Sequence, residues 1–301
     1  MPETKYGYLI KSLSFADYGP GQYRQGTKMS SKFLGYDVNI EYGAYWSAGK
    51  IGTEPFLAEK HDFDEVMLWM GTETADLGYL GAEVEFIIGE EREKHMITTS
   101  TAVAIPKGLL HLPATIGRMD KRIISMTVSV TPEWSATTVA IDRAPYQPVG
   151  HQAKYQNNVI NLGFVRNGPW HYGVNNQDTH DGAITNIDGK GFEFNMSYES
   201  VRKAPYRFSP YPDRPHAHPY TEFLVFMGAD CNDLSELGAE AEISMGKERE
   251  RHIINKPTVV VQPQTFPHLP LTITKLYKPF IFCVIRPFGH GTGETTRLPP
   301  A

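Results

Sequence analysis

The apolar positions of this chain are gathered into short runs that stop at glycine or proline. Glu65 to Met70 and Glu222 to Met227 are two such runs, and each ends at a glycine, Gly71 or Gly228. Alternation follows both. Ala82, Val84 and Phe86 are separated by Glu83 and Glu85, and Ala239, Ala241 and Ile243 by Glu240 and Glu242. Each stretch then closes on a longer β-rich piece, residues 122–130 and 280–285. Runs of this length and period, punctuated by 27 glycines and 22 prolines, predict many short antiparallel strands and little helix. The charged patches at residues 89–94 and 246–251 read as solvated turns between strands.

These stretches match one another at a constant offset of 157 residues. His61, Glu65, Gly71, Pro106 and His111 recur as His218, Glu222, Gly228, Pro263 and His268, and no gap is needed between the first pair and the last. Between them Glu91, Glu93 and His95 recur as Glu248, Glu250 and His252. Self-similarity at a fixed offset means one supersecondary unit used twice. The expected division is residues 1–145, an N-terminal domain with an arm, and residues 146–301, a linker with the C-terminal domain. The first ~30 residues read as an arm outside the repeat, since a matching unit must first show the repeat's own pattern. Residues 136–188, rich in Gly, Asn, Pro and His, read as the inter-domain connection, with His171 and His180 in structural or exposed roles. His95 and His252, kept in both halves, read as architectural.

Composition narrows the function. A net charge of -5 without any Lys/Arg run argues against a nucleic-acid surface. No apolar run approaches the ~18 residues of a membrane span, and the first residues lack the apolar stretch of a signal peptide. Two cysteines, Cys231 and Cys283, cannot build a disulfide framework or a cysteine-rich zinc site. The expectation is a soluble cytoplasmic protein with a small-molecule partner. Barrel edges and the unmatched arm also suggest a homodimer in which edge strands are covered across the interface.

The copies differ where chemistry would sit. The second opens on His216 and His218, and the first has Glu59 and His61. On a strand these two histidines face together with Cα atoms ~6.6 Å apart, so their imidazoles can converge on one ion. Glu222 shares their parity but would lie ~13 Å beyond His218 on a straight strand, so the chain must turn at Pro219, Tyr220 and Thr221. His268 follows a second bend and completes a set of three nitrogens and one carboxylate. Such a set suits Fe(II), Mn(II), Ni(II), Co(II) or Zn(II). One divalent transition metal per chain is expected, with iron or manganese favoured, and four protein donors leave two positions open on an octahedral ion.

The order His-x-His-x-x-x-Glu, then Gly, then Pro-x-x-x-x-His resembles the two motifs of the cupin superfamily, and two copies in one chain resemble a bicupin. The resemblance spans residues 36–130 and 193–288. It implies an all-β fold of two tandem double-stranded β-helix, or jelly-roll, barrels. Thr265 stands where the family's second motif usually has glycine, and the trailing asparagine is absent from both copies. By this resemblance His216, His218, Glu222 and His268 bind the metal. Glu59, His61, Glu65 and His111 form a second possible site, read as degenerate, with a harder ion such as Mn(II) as the alternative. Parity places Leu224 and Phe226 with Glu222, and Gln264 and Phe266 with His268, as pocket lining. Tyr220 and Glu222 are the candidate catalytic residues. The function expected is a metal-dependent enzyme acting on a small phenolic, keto/enol or carboxylate substrate, with dioxygenase-type C–C cleavage favoured. A non-redox decarboxylase, isomerase or C–C hydrolase and a non-catalytic small-molecule-binding bicupin are the alternatives.

Overall fold

The computed structural model of the chain describes residues 4–18, 23–51, 57–140, 147–148, 153–166, 181–186, 192–208, 215–288 and 296–297. His171 and His180 lie outside them. The regular structure of the described residues is almost wholly strand, arranged as four sheets, two to each repeat. In the first repeat, one sheet has Thr101–Ile105, Glu65–Met70, Ile123–Ser129 and Asn39–Tyr45 side by side. The sheet facing it contains Leu57–Lys60, His111–Met119, Tyr79–Ile88 and Glu93–Thr99. The second repeat reproduces both sheets, with Thr258–Gln262, Glu222–Gly228, Phe280–Arg286 and Asn195–Val201 in one, and Glu250–Ile254, Ala239–Met245, His268–Leu276 and His216–Ala217 in the other. The predicted tandem jelly-roll barrels are the architecture observed. No helix among the described residues is long and apolar enough to cross a membrane.

Both faces of the central strands are buried, which is why Glu65–Met70 and Glu222–Gly228 read as unbroken apolar runs. Side chains on a strand alternate between faces. Met67 and Trp69 enter the interior of the first barrel, whereas Val66, Leu68 and Met70 join an apolar cluster that continues into the second barrel. The barrels are therefore packed back to back through sheet faces. Tyr36 meets Phe223 edge-on at 5.8 Å, and Arg202 and Ser200 both donate to the Thr74 carbonyl at 2.7 Å. The recurring Gly71 and Gly228 lie where a Cβ would stand 2.0 Å and 2.2 Å from the carbonyl oxygens of Tyr79 and Glu236.

The N-terminal arm corrects the sequence reading, because it does belong to the repeat, at a different offset. Ile10–Ser12 pairs with Thr258–Gln262 of the second barrel, and Val159–Asn161 pairs with Thr101–Ile105 of the first. Lys5 and Tyr6 correspond to Lys154 and Tyr155, and Leu13 and Phe15 to Leu162 and Phe164, so the offset of the arms is 149. Each repeat thus sends its leading segment across to cap the edge of the other barrel. Those two edges are covered within the chain, which removes them from the edge-pairing argument for a homodimer.

The charged patches are also more than solvated turns. Backbone N–H groups of Lys5 and Tyr6 donate to the Glu250 carboxylate at 2.9 and 3.0 Å, and those of Lys154 and Tyr155 to Glu93 at 2.7 and 3.1 Å. The Tyr6 hydroxyl donates to Glu248 at 2.6 Å, and that of Tyr155 to Glu91 at 2.7 Å. His252 and His95 sit beside the same carboxylates, at 2.7 Å from Glu250 and 3.3 Å from Glu93, which accounts for their recurrence away from the candidate metal ligands. An alternating-charge motif looks solvated from sequence when its partner lies far along the chain, as Lys154 and Tyr155 do from Glu91 and Glu93 and Lys5 and Tyr6 from Glu248 and Glu250.

Each tyrosine ring lies on a glycine with positive φ, Gly246 at +73° and Gly89 at +78°. A Cβ at Gly246 would be 2.2 Å from the Tyr6 ring, whereas one at Gly108, with φ +79°, would meet nothing within 4 Å. Gly108→Ala therefore reports backbone conformation alone, at about 1–2 kcal/mol. Gly246→Ala should cost more and release the arm. Urea unfolding of both variants, with limited proteolysis after Lys5 or Lys11, checks this. Equal destabilisation with no new cleavage would contradict the assigned docking.

Candidate metal centre

The C-terminal centre is built at the ends of three strands. His216 pairs in register with His268, the chain bends through residues 218–221, and Glu222 opens the next strand. The second bend is tied to the first by a hydrogen bond from Thr265 N–H to the His218 carbonyl at 2.7 Å. The first repeat makes the same tie from Gly108 N–H to the His61 carbonyl at 2.8 Å. The turn requires a left-handed residue, so Thr265 adopts φ +60° where Gly108 adopts +79°. A β-branched residue is poorly suited to that region.

The ring centroids of His216, His218 and His268 are 4.5–5.3 Å apart, and one ligating atom from each lies within 4.8 Å of the others. Glu222 Oε1 is 3.1 Å from His268 Nε2 and 3.6 Å from His218 Nε2. Donors held 2.0–2.2 Å from one ion stand ~3–4 Å apart, so this set fits a single metal with small adjustment. The outward nitrogens are occupied: His268 Nδ1 faces the Phe266 carbonyl at 3.2 Å and His218 Nδ1 the Tyr220 hydroxyl at 3.2 Å. Such contacts direct the Nε2 lone pairs inward. Burial, with neighbouring imidazoles adding to it, pulls His216 down to about 2, and burial pulls His218 down to about 4. Burial alone would raise Glu222, but Arg286 and the adjacent imidazoles overcome it and hold the carboxyl well below its usual range. Neutral imidazoles beside an ionised carboxylate are the protonation states a cation requires.

The first repeat brings together His61, Glu65 and His111. Glu65 Oε1 is 3.5 Å from His61 Nε2 and 3.7 Å from His111 Nε2. His61 Nδ1 faces the Phe63 carbonyl at 2.7 Å, while its Nε2 is buried without a hydrogen-bond partner. That inward-facing nitrogen has only the long contact to Glu65, and a bound cation would give it a closer partner. Glu59 occupies the register place of His216, opposite His111, but falls outside this three-residue group. Burial and the nearby Glu65 push its carboxyl upward.

The pocket residues divide. Leu224 and Phe226 are buried on the Glu222 side of their strand, and Phe226 meets Phe282 at 4.9 Å. Gln264 and Phe266 require correction, because the bend breaks the strand parity that placed them. Gln264 is exposed on the turn, and Phe266 packs edge-on against Tyr6 at 5.1 Å, holding the arm. Tyr220 is buried and stacks on His218 with ring centroids 5.0 Å apart.

Sequence reasoning missed Arg286. Its Nε donates to Glu222 Oε2 at 3.0 Å and its Nη1 to Asn195 Oδ1 at 2.7 Å. The signal was present: Arg286 shares parity with Phe280, Phe282 and Val284 and ends that apolar strand, and the 157-residue offset puts Ser129 opposite it.

No family model matches the chain, and no curated protein matches it by sequence. Solved structures do. Vicilin from hazelnut (Corylus avellana) superposes with a TM-score of 0.59 at 9% identity, covering 97% of this chain and 88% of that one. Oxalate decarboxylase from Bacillus subtilis at pH 4.6 gives 0.58 at 11% identity, covering 96% and 78%. A second structure of that decarboxylase, concerned with its Mn(II) centres, gives 0.56 at 10% identity, covering 95% and 78%. The chain has the fold of a bicupin. Identities this low carry the bicupin fold and no activity. Within this fold, the left-handed turn beside His268 is locally unfavourable as it stands. Thr265→Gly should raise stability by roughly 1 kcal/mol, seen as a higher urea midpoint at unchanged slope.

Proposed function

We propose that this bicupin is a metal-dependent enzyme that cleaves a carbon–carbon bond in a small oxygenated substrate at the C-terminal centre. The observation that carries this reading is the convergence of His216, His218 and His268 with an ionised Glu222, their outward nitrogens tied to Phe266 and Tyr220 where the contacts are resolved. A divalent iron or manganese ion bound there would supply Lewis acidity and, with dioxygen, redox chemistry. Zinc, nickel or cobalt would supply the first alone or nearly so.

The chain's own residues have separable roles. His216, His218 and His268 hold the ion as neutral donors. Glu222 is the anionic donor and the candidate proton acceptor, and Arg286 on its second oxygen opposes protonation at that atom. Tyr220 is a positioning residue whose hydroxyl and ring fix the His218 imidazole. Leu224, Phe226, Val284 and Phe282 give the interior an apolar wall that keeps water from a reactive intermediate, which suits the dioxygenase form of the reaction. A non-redox decarboxylation is the second reading, favoured by the shared fold with oxalate decarboxylase. The fold shared with vicilin accommodates a non-catalytic binding role.

Elemental analysis of protein purified without added metal is the first test. About one iron or manganese per chain is expected, abolished in His218→Ala. A further equivalent that disappears in His61→Ala would locate an ion at His61, Glu65 and His111. Turnover of phenolic and keto-acid substrates should consume dioxygen in proportion to product. Product formed equally without dioxygen would establish the non-redox reading, and a chain that neither retains nor takes up a transition metal would refute both.

A further inference from the structure

The two centres solve one structural problem with different chemistry. In each, the second oxygen of the glutamate is held by the residue that ends the neighbouring strand, Ile123–Ser129 in the first repeat and Phe280–Arg286 in the second. In the first repeat Ser129 Oγ donates to Glu65 Oε2 at 2.6 Å. In the second, Arg286 Nε donates to Glu222 Oε2 at 3.0 Å. A neutral hydroxyl is therefore sufficient to fix the carboxylate. A guanidinium does the same with a fixed positive charge, which attracts electron density from Glu222 and opposes a cation beside it.

Fixing the glutamate does not require that charge, since Ser129 does it without one; the guanidinium adds a bond to Asn195 Oδ1 at 2.7 Å and keeps donors beyond both. Arg286 is desolvated, its side chain 16% exposed, and its guanidinium lies 5.8 Å from the Tyr220 ring. Among the described residues its contacts are to Glu222, Asn195 and Tyr220, fewer than the five N–H donors of its planar fork. With Arg286 counted, the C-terminal donor set is electrically neutral, so a dication there leaves the centre strongly positive. The N-terminal set has two carboxylates, Glu59 and Glu65, and no arginine at the matching position. The two centres therefore differ in charge on a shared backbone: a dication is balanced by Glu59 and Glu65 in the first, and is left unbalanced in the second, where an anionic ligand would offset it.

We infer that Arg286 is the anion-recognition element of the C-terminal centre, and that this centre takes a substrate whose carboxylate or enolate oxygen reaches both the metal position and the guanidinium. This rests on the metal reading above and adds the substrate class. Planar bidentate recognition of a carboxylate is the task for which guanidinium geometry is suited, and a fixed cation also stabilises negative charge that develops during bond cleavage.

The test uses full-length protein loaded with Co(II), whose visible absorption reports ligands entering its coordination sphere. Pyruvate, an anionic 1,2-dicarbonyl, and butane-2,3-dione, its neutral counterpart, are the two probes. Wild-type protein should bind pyruvate at least tenfold more tightly than butane-2,3-dione. Arg286→Ser, which copies the first repeat, should abolish that ratio at unchanged Co(II) content, and Arg286→Lys should restore part of it. An unchanged ratio in Arg286→Ser would overturn the inference, since orienting Glu222 would then be the arginine's only role. Should the serine variant lose Co(II), the lysine variant decides: a retained preference for pyruvate supports the inference and a lost one overturns it. Metal-loaded wild type without any preference would overturn this inference alone, whereas failure to bind Co(II) would overturn the metal reading and this one with it.

Discussion

Everything in this molecule depends on the burial of both faces of two sheets. A jelly-roll barrel standing alone presents the outer faces of its central strands to water. Here Val66, Leu68, Met70, Ile124 and Met126 on one barrel share an apolar cluster with Phe223, Val225, Met227, Ile281 and Cys283 on the other. Each barrel covers what the other would expose. The same packing fixes the strands whose ends hold the candidate metal ligands, because Glu65 and Glu222 begin those central strands. Ligand geometry is set by a rigid, dry interface rather than by the surface bends alone.

Much of this was legible in the sequence. The offset of 157 residues located both barrels and singled out histidines and glutamates that the fold brings together in each, because strand spacing within a sandwich is a local property repeated without insertion. The bend at Pro219, Tyr220 and Thr221 followed from the length of a strand residue and the reach of an imidazole. What stayed illegible was long-range. Glu248 and Glu250 showed no sign that they bind Lys5 and Tyr6, since nothing in a local charge pattern names a distant partner. The 149-residue offset of the arms was hidden by its difference from the barrels' own. Gln264 and Phe266 were misplaced because parity was carried through a turn, where it does not hold.

Arg286 was overlooked for a more instructive reason. Attention to metal-ligand residue types favours His and Glu, and an arginine at the end of an apolar strand registers as a boundary. Comparison of the two repeats, position by position, would have found it. Ser129 against Arg286 is the same kind of departure as Glu59 against His216, and both occur at the candidate metal centres.

The exchanged arms bear on how such a molecule can be divided. Ile10–Ser12 completes a sheet of the far barrel and Val159–Asn161 completes a sheet of the near one, so a cut between the repeats would leave each fragment with its neighbour's strand and without its own. The chain is in effect a swapped dimer written into one polypeptide, with a pseudo-twofold relation between its halves. Two identical subunits in that arrangement would be bound to carry identical centres. Covalent linkage lifts the constraint: one half can hold a carboxylate with serine and the other with arginine, and a single molecule can present two differently charged mouths on one scaffold.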